Sequence, residues 1–401
     1  MAWRIVAADA VTRKVFYDLT NVATASYSAV LNGAGSVDVT IQTRDALTPV
    51  PVEVLQLLRR RQKATVIIVG WVQSSGETYA VADALIDTSS WNPGTGVLTV
   101  SGESVWSLMG ERMMYPMWAR EVIAGGGTGT FFVDSTIEDA MWWIVAASIG
   151  LGKEIYRNGE LIYAPTGNHH RHQDFRWSSS TATQSRRWEF PYRERTALEI
   201  LEEFLGYDGA PDVALQPRIV DEEIYWLVHT KVDMLRWESE LVHDRAPGFQ
   251  SRVTDLQIVK DGVRGTTSLL KVGGGSGKSM QSTAAVFQDI GISVEDLDGL
   301  TRERITSAKQ ADDNPRLRRL AVAELRENYS DIEQWSFGVR CDGEVPPSLF
   351  MPGAGVRLQY GGDELYSAKE HLFQILGVSG STDSTQLRLD IQNAYREPAP
   401  R

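Results

Sequence analysis

Lys271-Val272-Gly273-Gly274-Gly275-Ser276-Gly277-Lys278-Ser279 admits two readings that lead to different proteins. As a phosphate-cradling loop it implies an α/β nucleotide-binding fold; as a glycine-rich turn after a strand it implies a β fold. The phosphate loop needs a glycine, four residues, then Gly-Lys-Ser or Gly-Lys-Thr. Counting back from Gly277, the first glycine would fall on Val272, and Gly273 leaves a gap of only three residues. Downstream, Met280-Gln281-Ser282-Thr283-Ala284-Ala285-Val286 is a poor start for a phosphate-binding helix, and no apolar run ending in aspartate follows. The loop reads as a turn, with Ser276 and Lys278 keeping it soluble.

Outward from that loop the chain is mostly strand-like. Val253–Val259 and Thr266–Val272 precede it, and Val356–Tyr360, His371–Val378 and Gln386–Ile391 close the sequence. The first hundred residues have the same texture. Ser26–Leu31 and Ser36–Ile41 flank Asn32-Gly33-Ala34-Gly35 as a hairpin, with Val37, Val39 and Ile41 alternating onto one face. Thr65–Val69 is a β-branched run, and Tyr79–Ile86 reaches the turn Asn92-Pro93-Gly94-Thr95-Gly96 before Val97–Val100. The two β regions share a faint repeat: Tyr79 and Tyr366 each follow a glycine-containing turn, and each precedes a leucine (Leu85, Leu372).

Helical signals are few. Ser135-Thr136-Ile137-Glu138 has capping-box spacing, followed by Met141, Ile144 and Val145. Thr196–Leu205 predicts a second helix, with Leu198, Leu201 and Leu205 on one face and Gly206 as its stop. A polar stretch, 167–184, separates the two, and Ile224–Val228 reads as a strand. Asn314 and Pro315 open a third helix carrying Leu317, Leu320 and Leu325. The expectation is a mainly β protein with α+β parts: a small β-barrel or sandwich over 1–110, a mixed α/β domain over 111–245, and a second barrel over 246–401 with a helical insertion near 314–330.

Composition narrows the function. The formal charge is -12, from 52 acidic and 40 basic residues. Tight nucleic-acid binding needs basic surface, so this balance suits instead a surface past which DNA slides without specific binding. A lone cysteine, Cys341, excludes an intrachain disulfide. No apolar run reaches membrane-spanning length, and the N-terminus lacks a signal-peptide pattern, which predicts synthesis and folding in a cytoplasm.

Candidate chemistry is sparse. Gly102-Glu103-Ser104-Val105-Trp106 fails as a hydrolase elbow because Trp106 stands where a small residue must be. His169, His170 and His172 are weak metal candidates, since three such close neighbours seldom face one ion. Glu202-Glu203, Glu222-Glu223 and Asp312-Asp313 read as solvated faces, and Arg59-Arg60-Arg61 as the basic end of a short helix begun at Val52. No catalytic residue, cofactor or metal site is expected.

The order of segments carries more than any of these. Trp3–Asp9, then Ser26–Ser36, Thr65–Val69, the Gly70-Trp71 turn, Thr95-Gly96-Val97-Leu98-Thr99-Val100-Ser101-Gly102 and Arg112 after Leu108 resemble the tail-tip hub family of siphophages that infect actinobacteria. Arg264–Thr267 through Gly273-Gly274-Gly275 resembles that family's third region. The resemblance implies a virion structural protein, similar in fold to hubs of contractile-tailed phages. Three chains, each with two barrels, would form a ring around the channel for DNA and the tape measure protein. Partners would be the distal tail protein and other tail-tip or receptor-binding proteins. Gly273, Gly274, Gly275 and Lys278 are the interface candidates. Rival readings are a hexameric distal tail ring, a tail-associated cell-wall hydrolase and, more remotely, an NTPase.

Overall fold

The computed structural model describes residues 3–10, 12–44, 49–59, 63–73, 75–111, 130–135, 137, 140–141, 144–145, 155–157, 160–163, 175–177, 186–191, 195–206, 210–231, 238–243, 251–261, 266–273, 282–293, 302–308, 314–328, 332–342 and 344–393. The chain opens with β1 (Trp3–Asp9), β2 (Val15–Asp18), β3 (Ala23–Val30), β4 (Ser36–Gln42), helix α1 (Val52–Leu58), β5 (Thr65–Val72), β6 (Thr78–Asn92), β7 (Val97–Glu103) and α2 (Leu108–Glu111). Next come β8 (Thr130–Ser135), β9 (Ile155–Arg157), β10 (Glu160–Tyr163), β11 (Phe175–Trp177), β12 (Arg186–Pro191), α3 (Ala197–Leu205), β13 (Asp212–Val220) and β14 (Glu223–Lys231). The last third holds β15 (Glu238–His243), β16 (Val253–Asp261), β17 (Ser268–Val272), β18 (Ser282–Val286), β19 (Glu303–Ser307), α4 (Asn314–Asn328), β20 (Ile332–Arg340), β21 (Gly355–Tyr360), β22 (Lys369–Ser381) and β23 (Gln386–Asn393). The protein is mainly β.

Strands from both ends of the sequence form one sheet, ordered β16-β20-β23-β22-β3-β4-β7-β6-β5-β1-β2, with β21 also on β22 and β15 on β21. Within it lies a repeat that preserves chain order. One set of neighbours runs β3-β4-β7-β6-β5-β1, the other β16-β20-β23-β22-β21-β15. The registers agree. Val66 opposes Leu85 as Gly355 opposes Gln374, and Thr88 opposes Ser101 as Gly377 opposes Asp390, so one constant offset along the chain carries β5, β6 and β7 onto β21, β22 and β23, while β3 and β4 map onto β16 and β20 with offsets of their own. One bulge matches as well. The long strand of each set breaks register against its following neighbour, between Ile86 and Thr88 in β6 and between Ile375 and Gly377 in β22. The sets differ at their last strand: β1 is antiparallel to β5, whereas β15 is parallel to β21.

Core residues follow the same repeat. Val37, Val39 and Ile41 point into the main core as the alternation predicts, and the register places Trp335, Phe337 and Val339 at equivalent positions; all six are buried. The sequence reading paired Leu85 with Leu372. The register sets Leu85 against Gln374 instead, so that pairing is two residues out, drawn astray by two tyrosines that are not equivalent.

Val66–Val69 is continuously apolar because the sheet is covered on both sides there. Ile67 and Val69 join Ile5 and Ala7 in the main core, while Val66 and Ile68 join Val6 and Ala8 in a second core. That second core takes Ala140, Met141, Ile144 and Val145 on one side and the β13–β14 hairpin through Val213, Ile224, Trp226 and Val228 on another. Helix α3 closes it. Thr196 caps the helix in a full capping box with Glu199, and Gly206 ends it. Its buried stripe is Ala197, Ile200, Leu201 and Phe204, with Leu198 and Leu205 at the flanks rather than at the centre. The expected polar stretch 167–184 contains β11, which pairs in parallel with β14.

Candidate assembly surface

The glycine loop follows a strand of a small separate three-stranded sheet, not a strand of the main sheet; the sequence reading places it in the second barrel region. Strand β17 pairs antiparallel with β18, Val272 opposite Ser282, and parallel with β19. The chain leaving Gly273 therefore returns as a neighbouring strand. A phosphate loop must lead into a helix, so the nucleotide-binding reading fails on topology as well as spacing. Helix α4 covers one face of this sheet through Ala321 and Leu325, against Leu269, Ala285, Ile290 and Ile292. Buried Lys271 is held there by an ion pair to Glu324 of α4, which also accepts from Thr306 at 3.2 Å. On the other face Leu270, Ala284 and Ile305 form an exposed apolar row, with Ile305 71% exposed. The whole insert lies between β16 and β20, where the first strand set has only the Asn32–Gly35 turn.

Among the interface candidates, Gly273 is buried at the end of β17; Gly274, Gly275 and Lys278 lie outside the described residues, as do His169, His170 and His172. The carboxylate pairs do not make a catalytic dyad. Glu202 is exposed while Glu203 takes an ion pair from Arg195 at 2.9 Å, and Glu222 binds Arg4 at 3.2 Å. Asp312 and Asp313 lie outside the described residues. Ser104 is not poised as a nucleophile: its Oγ accepts from the Gly35 amide at 3.2 Å, and a Cβ on Gly102 would fall 1.8 Å from the Leu85 carbonyl oxygen.

One buried carboxylate has an unusual setting. Asp83 is buried on β6 and accepts the Val105 amide at 3.0 Å. Burial pushes its carboxyl up to about 6, with that hydrogen bond opposing. It borders a narrow cleft of about 40 Å³ between Tyr79, Gln216 and Met351, room for a few waters rather than a substrate.

The surface with the most built-in order is the junction of the two strand sets. β22 pairs antiparallel with β3, Gly377 opposite Val30, Ser379 opposite Ser28 and Ser381 opposite Ser26. Thr382 and Ala25 exchange two bonds of 2.8 Å, and the Trp3 indole donates to the Ser384 carbonyl at 2.9 Å. Asp212 gathers Asn32 at 2.9 Å and Gln374 at 2.6 Å, tying the β3–β4 turn to β13 and β22. Gly380 has no side chain because Tyr27 lies over it: a Cβ there would come 2.8 Å from the tyrosine oxygen. The sequence offered the glycines and serines but no sign that these distant strands meet.

No family model matches the chain, and no curated protein matches it. Solved structures do. A tail protein from Neisseria meningitidis MC58 superposes with a TM-score of 0.55 at 12% identity, covering 98% of this chain and 97% of that one. The 43 kDa tail protein of prophage MuSo2 from Shewanella oneidensis gives 0.54 at 11% identity over 99% and 100%. A chain of the Francisella PdpA-VgrG complex gives 0.50 at 8% identity, covering all of this chain and 53% of that one. The fold is that of phage tail proteins.

Proposed function

We propose that the chain is a structural hub at the tip of a phage tail, joining the distal tail to baseplate or receptor-binding components and surrounding the channel for DNA and the tape measure protein. The observation that carries this is the duplicated six-strand set. A chain that presents the same surface twice lets three copies offer six equivalent faces to a sixfold tail ring. The fold shared with tail proteins supports the reading, and so does the acidic balance of -12, which limits adhesion of passing DNA. The apolar row Leu270, Ala284 and Ile305 supports a protein contact on the insert that carries the Gly273–Lys278 loop. No step in this role needs catalysis, a cofactor or a metal, and the protein would be made in the host cytoplasm and reside in the virion tail tip.

Copy counting in purified particles, combined with labelling of the chain in electron micrographs, tests this. Three copies per tail, confined to the tip, are expected. Six copies point to the distal ring, and absence from the particle overturns the proposal. Peptidoglycan zymography separates the hydrolase reading: a cleared band that Glu203→Gln abolishes would contradict a purely structural role.

A further inference from the structure

We infer that chains of this protein join one another through a second use of the ladder that joins their own two halves: β16 of one chain pairs, antiparallel, with the far half of β6 of the next. This deepens the hub reading above, on which it rests, by naming the surface that closes the ring.

Inside the chain, β3, the edge strand of the first set, pairs with the far half of β22, the long strand of the second set. The repeat gives each of these an equivalent. Residues 88–92 of β6 correspond to 377–381 of β22, because Thr88 opposes Ser101 as Gly377 opposes Asp390. Residues 257–261 of β16 correspond to 26–30 of β3, because Ser26 opposes Asp38 and Gln257 opposes Ser336, and Asp38 and Ser336 are themselves equivalent. So the internal ladder predicts an external one in fixed register. Thr88 would face Asp261, Ser89 Lys260, Ser90 Val259, Trp91 Ile258 and Asn92 Gln257.

Among the described residues, both strands are open on the side this needs. β5 leaves β6 at Leu85, and β7 occupies the opposite edge of residues 88–92. β16 ends the sheet, with β20 on its only paired edge among the described residues. Unpaired edges of this length invite strand addition; neither 88–92 nor 257–261 contains proline, and the bulges of these strands lie just before the segments, at Asp87 and at Asp255–Leu256, leaving the segments themselves regular. Side chains agree with the register. Trp91 and Ile258, set opposite one another, are both partly buried against the main core; their internal counterparts are Gly380 and the buried Tyr27. Ser90 is exposed and Val259 is 56% exposed, so their pair has surface to cover. Such a contact uses two different surfaces of each chain, so it propagates head to tail, and it closes into a ring where the rotation from chain to chain divides a full turn, as the hub reading requires.

Cysteine pairs test it. Ser90→Cys with Val259→Cys should link chain to chain on oxidation or with a short bis-thiol reagent, giving a covalent series that stops at the closed ring. Ser28→Cys with Ser379→Cys should link only within a chain, and Thr88→Cys with Gln257→Cys, four residues out of register, should not link. Native Cys341 is buried and does not compete. Assemblies seen by light scattering in which the matched pair stays unlinked, or links no better than the mismatched one, overturn the ladder while leaving the hub reading intact. A chain that stays single and unlinked at every concentration overturns the ladder as well. The hub reading itself falls on different results: six copies per tail, or absence of the protein from the tail tip.

Discussion

At the scale of single residues, two groups make sharp predictions. Asp83 has a raised carboxyl in the folded protein, so its contribution favours folding below the unfolded value of about 3.8 and is lost as pH rises through about 6. Asp83→Asn removes the titration while leaving an oxygen to accept the Val105 amide. The variant should gain on the parent across pH 4 to 6 and stay ahead above it, by up to about 3 kcal/mol, since each tenfold change in proton affinity is worth about 1.4 kcal/mol. Urea unfolding of both proteins at several pH values checks this; parallel curves would contradict it. Gly102 makes the second prediction. Its added Cβ would meet the Leu85 carbonyl, a backbone atom that cannot swing aside, whereas the nearest atom to a Cβ on Gly33 is at 3.4 Å. Gly102→Ala should cost about 3 kcal/mol or more, and Gly33→Ala less than about 1 kcal/mol, read as shifts in the urea midpoint.

At the scale of elements, legibility in the sequence depended on whether a segment's own residues close its structure. The β6–β7 turn is one such case: Asn92 Oδ1 accepts the Gly94 and Thr95 amides at 2.9 and 3.2 Å, and Gly96 sits at φ +69. Helix α3 is another, capped by its own Thr196 and Glu199. Thr196→Ala should lower stability by about 1 kcal/mol and Thr196→Ser by much less, measured by thermal or urea unfolding. Of the three-stranded insert the sequence reads only β17 as a strand, and places it in the second barrel; β18 and β19 escaped because they are short and expose apolar residues on an uncovered face, so alternation marks no inside. The stripe of α3 was displaced by one position because a leucine count cannot tell the centre of a buried face from its margin; Ile200 and Phe204 hold that centre. The open edges at 88–92 and 257–261 were invisible for a plainer reason. A strand's composition shows which face is buried but does not identify the strand beside it.

For the whole molecule, the decisive fact is that two strand sets repeat in order, register and bulge position and then meet through one ladder. The sequence hinted at the repeat through hairpins of similar texture, yet 289 positions of separation and almost no matching side chains hid its register. What the repeat preserves is geometry: small or apolar residues wherever the sheet turns inward. It does not preserve Gly380, over which Tyr27 lies; Trp91 stands at that position in the first set. A chain built this way carries one joint closed and a matching edge unpaired among the described residues, and the proposed ladder has copies meet there. The most direct measurement is a reconstruction of the tail tip at a resolution that follows individual strands. It should show three chains in a closed ring, six strand sets around the channel, and β16 of each chain alongside residues 88–92 of the next. A tip in which this chain is single, or in which those two edges face solvent, would contradict that arrangement.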